Sequence, residues 1–197
     1  MKDLPYRYNK HNILSFGKTD GRFGGLSNMA PDYALFVNEI CIPNTEALYQ
    51  ACKFSLYPEI QRLILEERNP MKAKIISRQH QSFVRQDWDT IKFKVMEWCL
   101  CIKLLQYWDK FGSLLRDSGT ATIVEYSAKD NIWGATPTDN DTLEGENILG
   151  RLLMKIRDEY IIPNKKPSRM SQPNITGFMI YGNLIGDVYS PEYYLDD

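Results

Sequence analysis

In the stretch NTEALYQACKF (44–54) a carboxylate, an amide and an amine recur at helical spacing: Glu46, Gln50 and Lys53. At about 100° per residue, Gln50 lies about 40° from Glu46, and Lys53 about 20° to the other side. The three therefore share one stripe with Tyr49 at its edge, while Ala47, Leu48, Ala51 and Cys52 point the opposite way. A carboxylate beside a lysine can poise either group, because each shifts the other's pKa. A lysine whose pKa is lowered by burial can serve as a Schiff-base nucleophile. A plain amphipathic helix with a solvated polar face shows the same pattern and is the commoner case. Here the stripe is short and chemically mixed, and it follows a loop rich in Gly and Asn, which favours the chemical reading.

Four further places carry polar or aromatic groups suited to binding. Gly24-Gly25 permits close backbone approach, and Asn28 adds an amide. Arg85 precedes a long helix that opens at Trp88, so it can serve a phosphate at a helix N-terminus. Asp87 or Asp89 is placed to cap that helix. Asp130, Trp133 and Gly134 fall in a tight loop after a strand, where an indole can act as a platform for a base ring or simply cover a core edge. Asn147 and Gly150 stand at the start of the last helix, where a cap is the ordinary role.

Composition limits what these residues can belong to. The chain has 197 residues, 43% of them hydrophobic and 25% charged, enough for a real core and too apolar for wholesale disorder. No apolar run approaches the roughly 20 residues of a membrane span, and the first residues lack the apolar core of a secretory signal. A soluble, cytoplasmic protein with no membrane partner is expected. Four cysteines without C-x2-C spacing and two histidines, His11 and His80, suit buried thiols better than a metal site or a disulfide framework. Neither a metal nor a cofactor is expected. The net charge of −1 argues against a general DNA-coating protein, yet it is unevenly spread. Residues 53–110 hold eleven basic and seven acidic residues, whereas 117–146 hold seven acids and Lys129 alone. Such a division suits a phosphate-bearing ligand, and equally an unevenly charged surface.

The elements that must position these groups follow from periodicity and punctuation. Tyr33–Val37 and Ile40–Ile42 read as a hairpin across Asn38-Glu39, which is weaker turn chemistry than Asn-Gly. A helix capped at Asn44 or Thr45 runs to about Phe54, a second opens at Pro58, and a shorter one starts at Pro70. The stripe Ile91, Val95, Trp98, Ile102 and Leu105 predicts a central helix over about 88–108. Thr120–Tyr126 reads as a strand, 127–147 as an acidic, turn-rich connection, and 148–160 as a final helix. The predicted fold is α+β, a helix-rich single domain over 1–160 with a small antiparallel sheet. Residues 161–197 are expected to form a C-terminal extension with one short strand near Phe178–Tyr181.

The motifs GGLSNMAP (24–31), NTEALYQACKF (44–54), DWDTIKFKVM (87–96), IVEYSAKDNIWGA (123–135) and GENILGRLLMKIR (145–157) occur in this order. Together they resemble the NADAR, or YbiA-like, family over about residues 14–160. The forms GGLSNM and EALYQA are similar to the branch paired with DNA-modifying ADP-ribosyltransferase toxins. That resemblance implies an N-glycosidase that removes ADP-ribose from the amino group of guanine in DNA, an antitoxin that reverses the modification. ADP-ribosylated DNA is then the substrate, ADP-ribose the product, and a cognate toxin a candidate partner.

On these positions Glu46 is expected as general acid/base and Lys53 as the Schiff-base nucleophile. Water attack with Lys53 holding a phosphate is the rival mechanism. Asn28, Tyr49, Gln50, Arg85, Trp88, Asp130, Trp133, Gly134 and Asn147 are expected to bind substrate. Among them Trp133 serves the base, Arg85 the phosphate, and Asn28, Asp130 and Asn147 the ribose hydroxyls. Two alternatives stand beside this reading: a glycosidase of riboflavin-pathway ribosyl-phosphates, and a non-catalytic module that binds NAD or ADP-ribose or masks a toxin. Lys165, Lys166, Arg169, Tyr181, Tyr189, Tyr193 and Tyr194 in the extension are candidate contacts for DNA or a toxin, or part of a surface-packed tail.

Overall fold

A computed structural model describes residues 6–194 and shows a helix-rich α+β fold. Strands β1 (Tyr6–Asn9) and β2 (Ile13–Phe16) precede the hairpin of β3 (Leu35–Val37) and β4 (Ile40–Ile42). Helices α1 (Thr45–Ala51), α2 (Pro58–Glu66), α3 (Pro70–Gln79), α4 (Trp88–Gln106) and α5 (Trp108–Asp117) follow. Then come β5 (Thr122–Glu125), β6 (Thr136–Pro137), β7 (Thr142–Gly145) and α6 (Ile148–Ile156). Four two-residue strands close the order: β8 (Arg169–Met170), β9 (Met179–Ile180), β10 (Asn183–Leu184) and β11 (Val188–Tyr189). The chain forms two compact units, one from residues up to Ser27 with 109–165, the other from 28–108 with the stretch from Lys166 onward. No helix among the described residues is long and apolar enough to cross a membrane.

The 28–108 unit is organised around α4. The predicted stripe of α4 is buried from Val95 on, and Met96, Leu100 and Leu104 bury a second face, so the helix is inside nearly all round from Val95 to Leu105. Helix α1 starts where Asn44 accepts the Ala47 N–H at 2.9 Å, and a 3-10 turn carries it on through Phe54. Asn69 caps α3 in the same way, and Pro58 occupies the first turn of α2, where its missing N–H costs nothing. The β3–β4 turn is tight, with Asn38 and Glu39 both at positive φ. Asn38 makes up for its weak turn chemistry by bonding Leu184 O and Gly186 N. Cys41 is an exception to the expectation of buried thiols. It sits on the outward side of β4, exposed, while the other three are buried.

The stretch from Lys166 is knit into this same unit. The fully buried Gln61 of α2 donates to Met179 O at 2.8 Å and accepts from Tyr181 N at 2.8 Å, so one side chain serves as a strand neighbour. Phe178 is buried edge-on against Trp98 at 5.2 Å between centroids.

In the other unit, β1, β7 and β6 form an antiparallel sheet in that order, while β2 and β5 pair in parallel. The segment 127–147, expected as a turn-rich connection, thus contributes two strands. Thr-Leu-Glu-Gly in β7 has little strand character of its own, and pairing with β1 supplies it. Asn147 adopts a left-handed backbone with φ 49° and opens α6. Its amide accepts the Glu125 N–H at 3.0 Å and donates to Ile123 O at 2.8 Å, stitching α6 to β5. That seam is close enough that a Cβ at Gly150 would stand 2.2 Å from Ile123 O.

Candidate active site

The polar stripe of α1 is buried. Glu46 is 4% exposed and Gln50 3%, and every residue of the helix is inside. This rules out the solvated amphipathic face and leaves a carboxylate taken out of water. Burial of that kind needs partners. Gln50 Nε2 donates to Glu46 Oε1 at 2.7 Å, one turn along the helix as the spacing predicts. Glu46 N in turn donates to Asn28 O at 3.1 Å, which ties Asn28 to the start of α1. Asn28 Oδ1 and Gln50 Oε1 are both buried with no hydrogen-bond donor. Two acceptors in this state beside a buried carboxylate suit a ligand rich in O–H and N–H groups.

Lys53 lies on the 3-10 turn that continues α1, half-buried, with its Nζ 5.8 Å from the Tyr49 ring centroid and 5.6 Å from that of Trp88. The two rings meet at 5.1 Å and wall the amine. Burial pulls the Lys53 pKa down to about 8, and Glu46 opposes this only in part. Lys74, Arg78 and Lys92 push it further in the same direction. Lys53 has no carboxylate within ion-pair distance among the described residues. The result is an amine partly unprotonated near neutrality, facing aromatic walls and next to a carboxylate, which is the equipment of a nucleophilic lysine.

The structure thus brings Asn28, Glu46, Tyr49, Gln50, Lys53 and Trp88 together in the 28–108 unit. Arg85 is in the same unit but engaged otherwise. Its guanidinium grips the Asp87 carboxylate at 2.6 and 3.0 Å, and donates to Ser55 Oγ at 3.1 Å and Thr176 O at 2.8 Å. Four of five donors are taken, so the phosphate role expected for Arg85 gives way to a structural one. The same grip occupies Asp87, which makes no side-chain cap to α4, and holds its carboxyl below the usual range.

Asp130, Trp133, Gly134 and Asn147 belong to the other unit, and three of them have local tasks. Asp130 Oδ1 accepts the N–H groups of Ile132 and Trp133, forming an Asx turn. A Cβ on Gly134 would stand 2.5 Å from Glu125 O, so close approach of the loop to β5 requires glycine there. Asn147 has both ends of its amide on β5 backbone, which replaces the ribose contact expected of it. Trp133 is half-buried.

In the C-terminal stretch, Lys166 pairs with Glu192 at 2.7 Å, Arg169 with Asp187 at 3.2 Å, and Tyr189 stacks on Tyr193 at 4.2 Å. The Tyr194 side chain lies outside the described residues. A groove of about 350 Å³ is lined by Ala34, Phe36, Gln106, Tyr107, Tyr189 and Pro191; Tyr189, a candidate contact of the extension, is among them, and the residues expected for catalysis and substrate are not.

The basic groups of α3 and α4 that act on Lys53 were missed by sequence reasoning. Their only trace was the basic surplus of 53–110 and the four-residue spacing of Lys74 and Arg78.

Comparison with known proteins shows what the chain as a whole is similar to. Residues 15–160 match the NADAR domain. The N-glycosidase YbiA of Escherichia coli is 31% identical over 150 residues, covering 76% of this chain and 89% of that protein. A riboflavin biosynthesis protein of Vibrio vulnificus is 34% identical over 146 residues, and the chloroplastic riboflavin biosynthesis protein PYRR of Zea mays 35% over 163. The match spans only 38% and 25% of the length of those two proteins. The NMR structure of E. coli YbiA superimposes with a TM-score of 0.67 at 28% identity, covering 81% of this chain and 90% of that one.

Proposed function

This chain belongs to the NADAR family, and on that premise we propose that it is an N-glycosidase acting through Glu46 and Lys53. The observation that carries the reading is the buried Glu46–Gln50 pair one turn from a lysine amine held near neutrality against Tyr49 and Trp88. In the cycle, Glu46 takes up a proton from solvent and delivers it to the ring oxygen as the sugar opens. The neutral Lys53 amine attacks the anomeric carbon, and the base departs with a proton passed by Glu46, leaving an imine to Lys53. Water adds to that imine and the sugar leaves as its aldehyde, restoring the amine. Asn28 Oδ1 and Gln50 Oε1 offer acceptors to the sugar hydroxyls.

The substrate proposed is ADP-ribosylated guanine in DNA, supported by the GGLSNM and EALYQA forms of the two motifs that build the site. The test is incubation with a guanine-ADP-ribosylated oligonucleotide and borohydride. Release of ADP-ribose and a reduced sugar adduct at Lys53, both lost in Lys53→Ala, is expected. Turnover without an adduct would leave Glu46 activating water and sink the covalent route.

The names of the Vibrio and maize relatives favour one second reading, cleavage of riboflavin-pathway ribosyl-phosphates. Cleavage of those compounds with the modified DNA left intact would select it. A pure binding module has no use for a lysine of lowered pKa beside a buried carboxylate. Inactivity on both substrates with ADP-ribose still bound would nonetheless establish one.

A further inference from the structure

The charges of three further cations act on Lys53 beside the buried Glu46. Helix α3 packs on α1, and its Ala73 and Ser77 are both fully buried. Lys74 and Arg78 each follow one of these by a residue and lie one turn apart, so they share a side of α3. On α4, Lys92 stands one turn beyond Trp88, the ring that walls the Lys53 amine. All three reach Lys53 electrostatically, and Glu46 is the only acid that figures among its principal charge neighbours. Neither Lys74 nor Arg78 has an ion-pair partner among the described residues. Lys92 does pair with Asp89 at 2.8 Å, but that carboxylate is largely in solvent and holds only one of three ammonium donors. Like charges gathered at a half-buried point repel, and an anion relieves the repulsion. The buried, donorless oxygens of Asn28 and Gln50 beside Glu46 independently suit the hydroxyl groups of a sugar carried by the same ligand.

We propose that Lys74 and Arg78 of α3, with Lys92 of α4, form an anion subsite that holds the phosphoryl group of a sugar phosphate or sugar diphosphate while its anomeric carbon meets Lys53. This rests on the glycosidase reading and deepens it, since a phosphoryl on the 5-position lies one ribose ring from the reacting carbon. Arg78 is exposed and Lys74 half-buried, so the ligand's phosphate enters from the solvent side and the sugar points inward to Glu46. The subsite also takes over the phosphate role from which Arg85 is withdrawn by Asp87, Ser55 and Thr176.

The test needs no turnover. Inorganic pyrophosphate is titrated calorimetrically into the full chain, into Lys74→Gln, Arg78→Gln and their double variant, and into Lys72→Gln as a control on the same helix. In parallel, acetylation of Lys53 is followed by peptide mass analysis across pH. Pyrophosphate is expected to bind the parent and to move the Lys53 midpoint upward, because the anion cancels the repelling cations. The double variant is expected to bind about tenfold or more weakly. Its Lys53 midpoint is expected to be higher even without pyrophosphate, and Lys72→Gln to behave as the parent. A double variant that folds and binds like the parent overturns the subsite, and so does pyrophosphate that binds without moving the Lys53 midpoint. If the double variant unfolds, the two single variants carry the same comparison. Absence of any pyrophosphate binding by the parent also overturns it. These readouts are separate from the glycosidase reading, which fails only if no substrate is cleaved.

Discussion

At the scale of single residues, Lys53 is costly to the fold for the same reason that it is useful to the chemistry. Its pKa falls from 10.5 to about 8 on burial, so the folded state resists the charged form. Below about pH 8 the lysine is protonated whether the chain is folded or not, and the cost of burying the charge is present in full. Between about 8 and 10.5 the unfolded chain binds the extra proton, so stability rises with pH across that window. Lys53→Met is therefore expected to stabilise the protein at pH 7 by on the order of 1–3 kcal/mol while abolishing turnover. Paired melting curves at pH 7 and pH 10 check it, and the gain should shrink at the higher pH. Activity through a neutral amine rises through about pH 8 and levels above it, which a pH–rate profile reads. Glu46→Gln is expected to lower kcat by about 10²–10⁴-fold with ADP-ribose affinity nearly kept, since the amide preserves the bond to Gln50 and loses the proton.

Among the elements, α1 is short, and its position rests on what flanks it. Asn44 caps it, the Asn28 carbonyl receives the Glu46 N–H, and the Arg85 N–H bonds Lys53 O at 2.9 Å to hold the turn that carries the amine. At the junction of β5 and α6 a single amide does comparable work. Asn147→Ala removes both bonds to buried β5 backbone and is expected to cost about 2 kcal/mol or more, read as a lower denaturation midpoint. Were Asn147 a ribose ligand, the same variant would weaken ADP-ribose binding without moving the midpoint.

At the scale of the whole molecule, each unit is assembled from stretches far apart in sequence. The 28–108 unit incorporates the chain from Lys166, so Phe178, Met179 and Tyr181 are expected to matter as much as the residues within 28–108. Phe178→Ala opens a cavity beside Trp98 and is expected to cost about 3–5 kcal/mol. A chain ending at Lys165 leaves the Gln61 amide without its partners at Met179 and Tyr181 and is expected to unfold more readily. Thermal denaturation of both checks this. Unchanged melting would mark the stretch as dispensable to the fold.

Much of this was written in local pattern. The helices follow from apolar spacing and from proline at the starts of α2 and α3, the cap at Asn44 from its side-chain oxygen, and the Glu46–Gln50–Lys53 stripe from helical geometry alone. These are short-range matters, fixed within a turn or two of the chain. Burial and long-range pairing were not written there. Gln61 as a strand neighbour, β7 as a strand, Arg85 engaged by Asp87, Ser55 and Thr176, and the charge of Lys74 acting on Lys53 all depend on what another segment brings alongside. The residue types set which chemistry was available. Only the fold removed water from Glu46 and Lys53, and desolvation is what turns a polar stripe into a candidate catalytic pair.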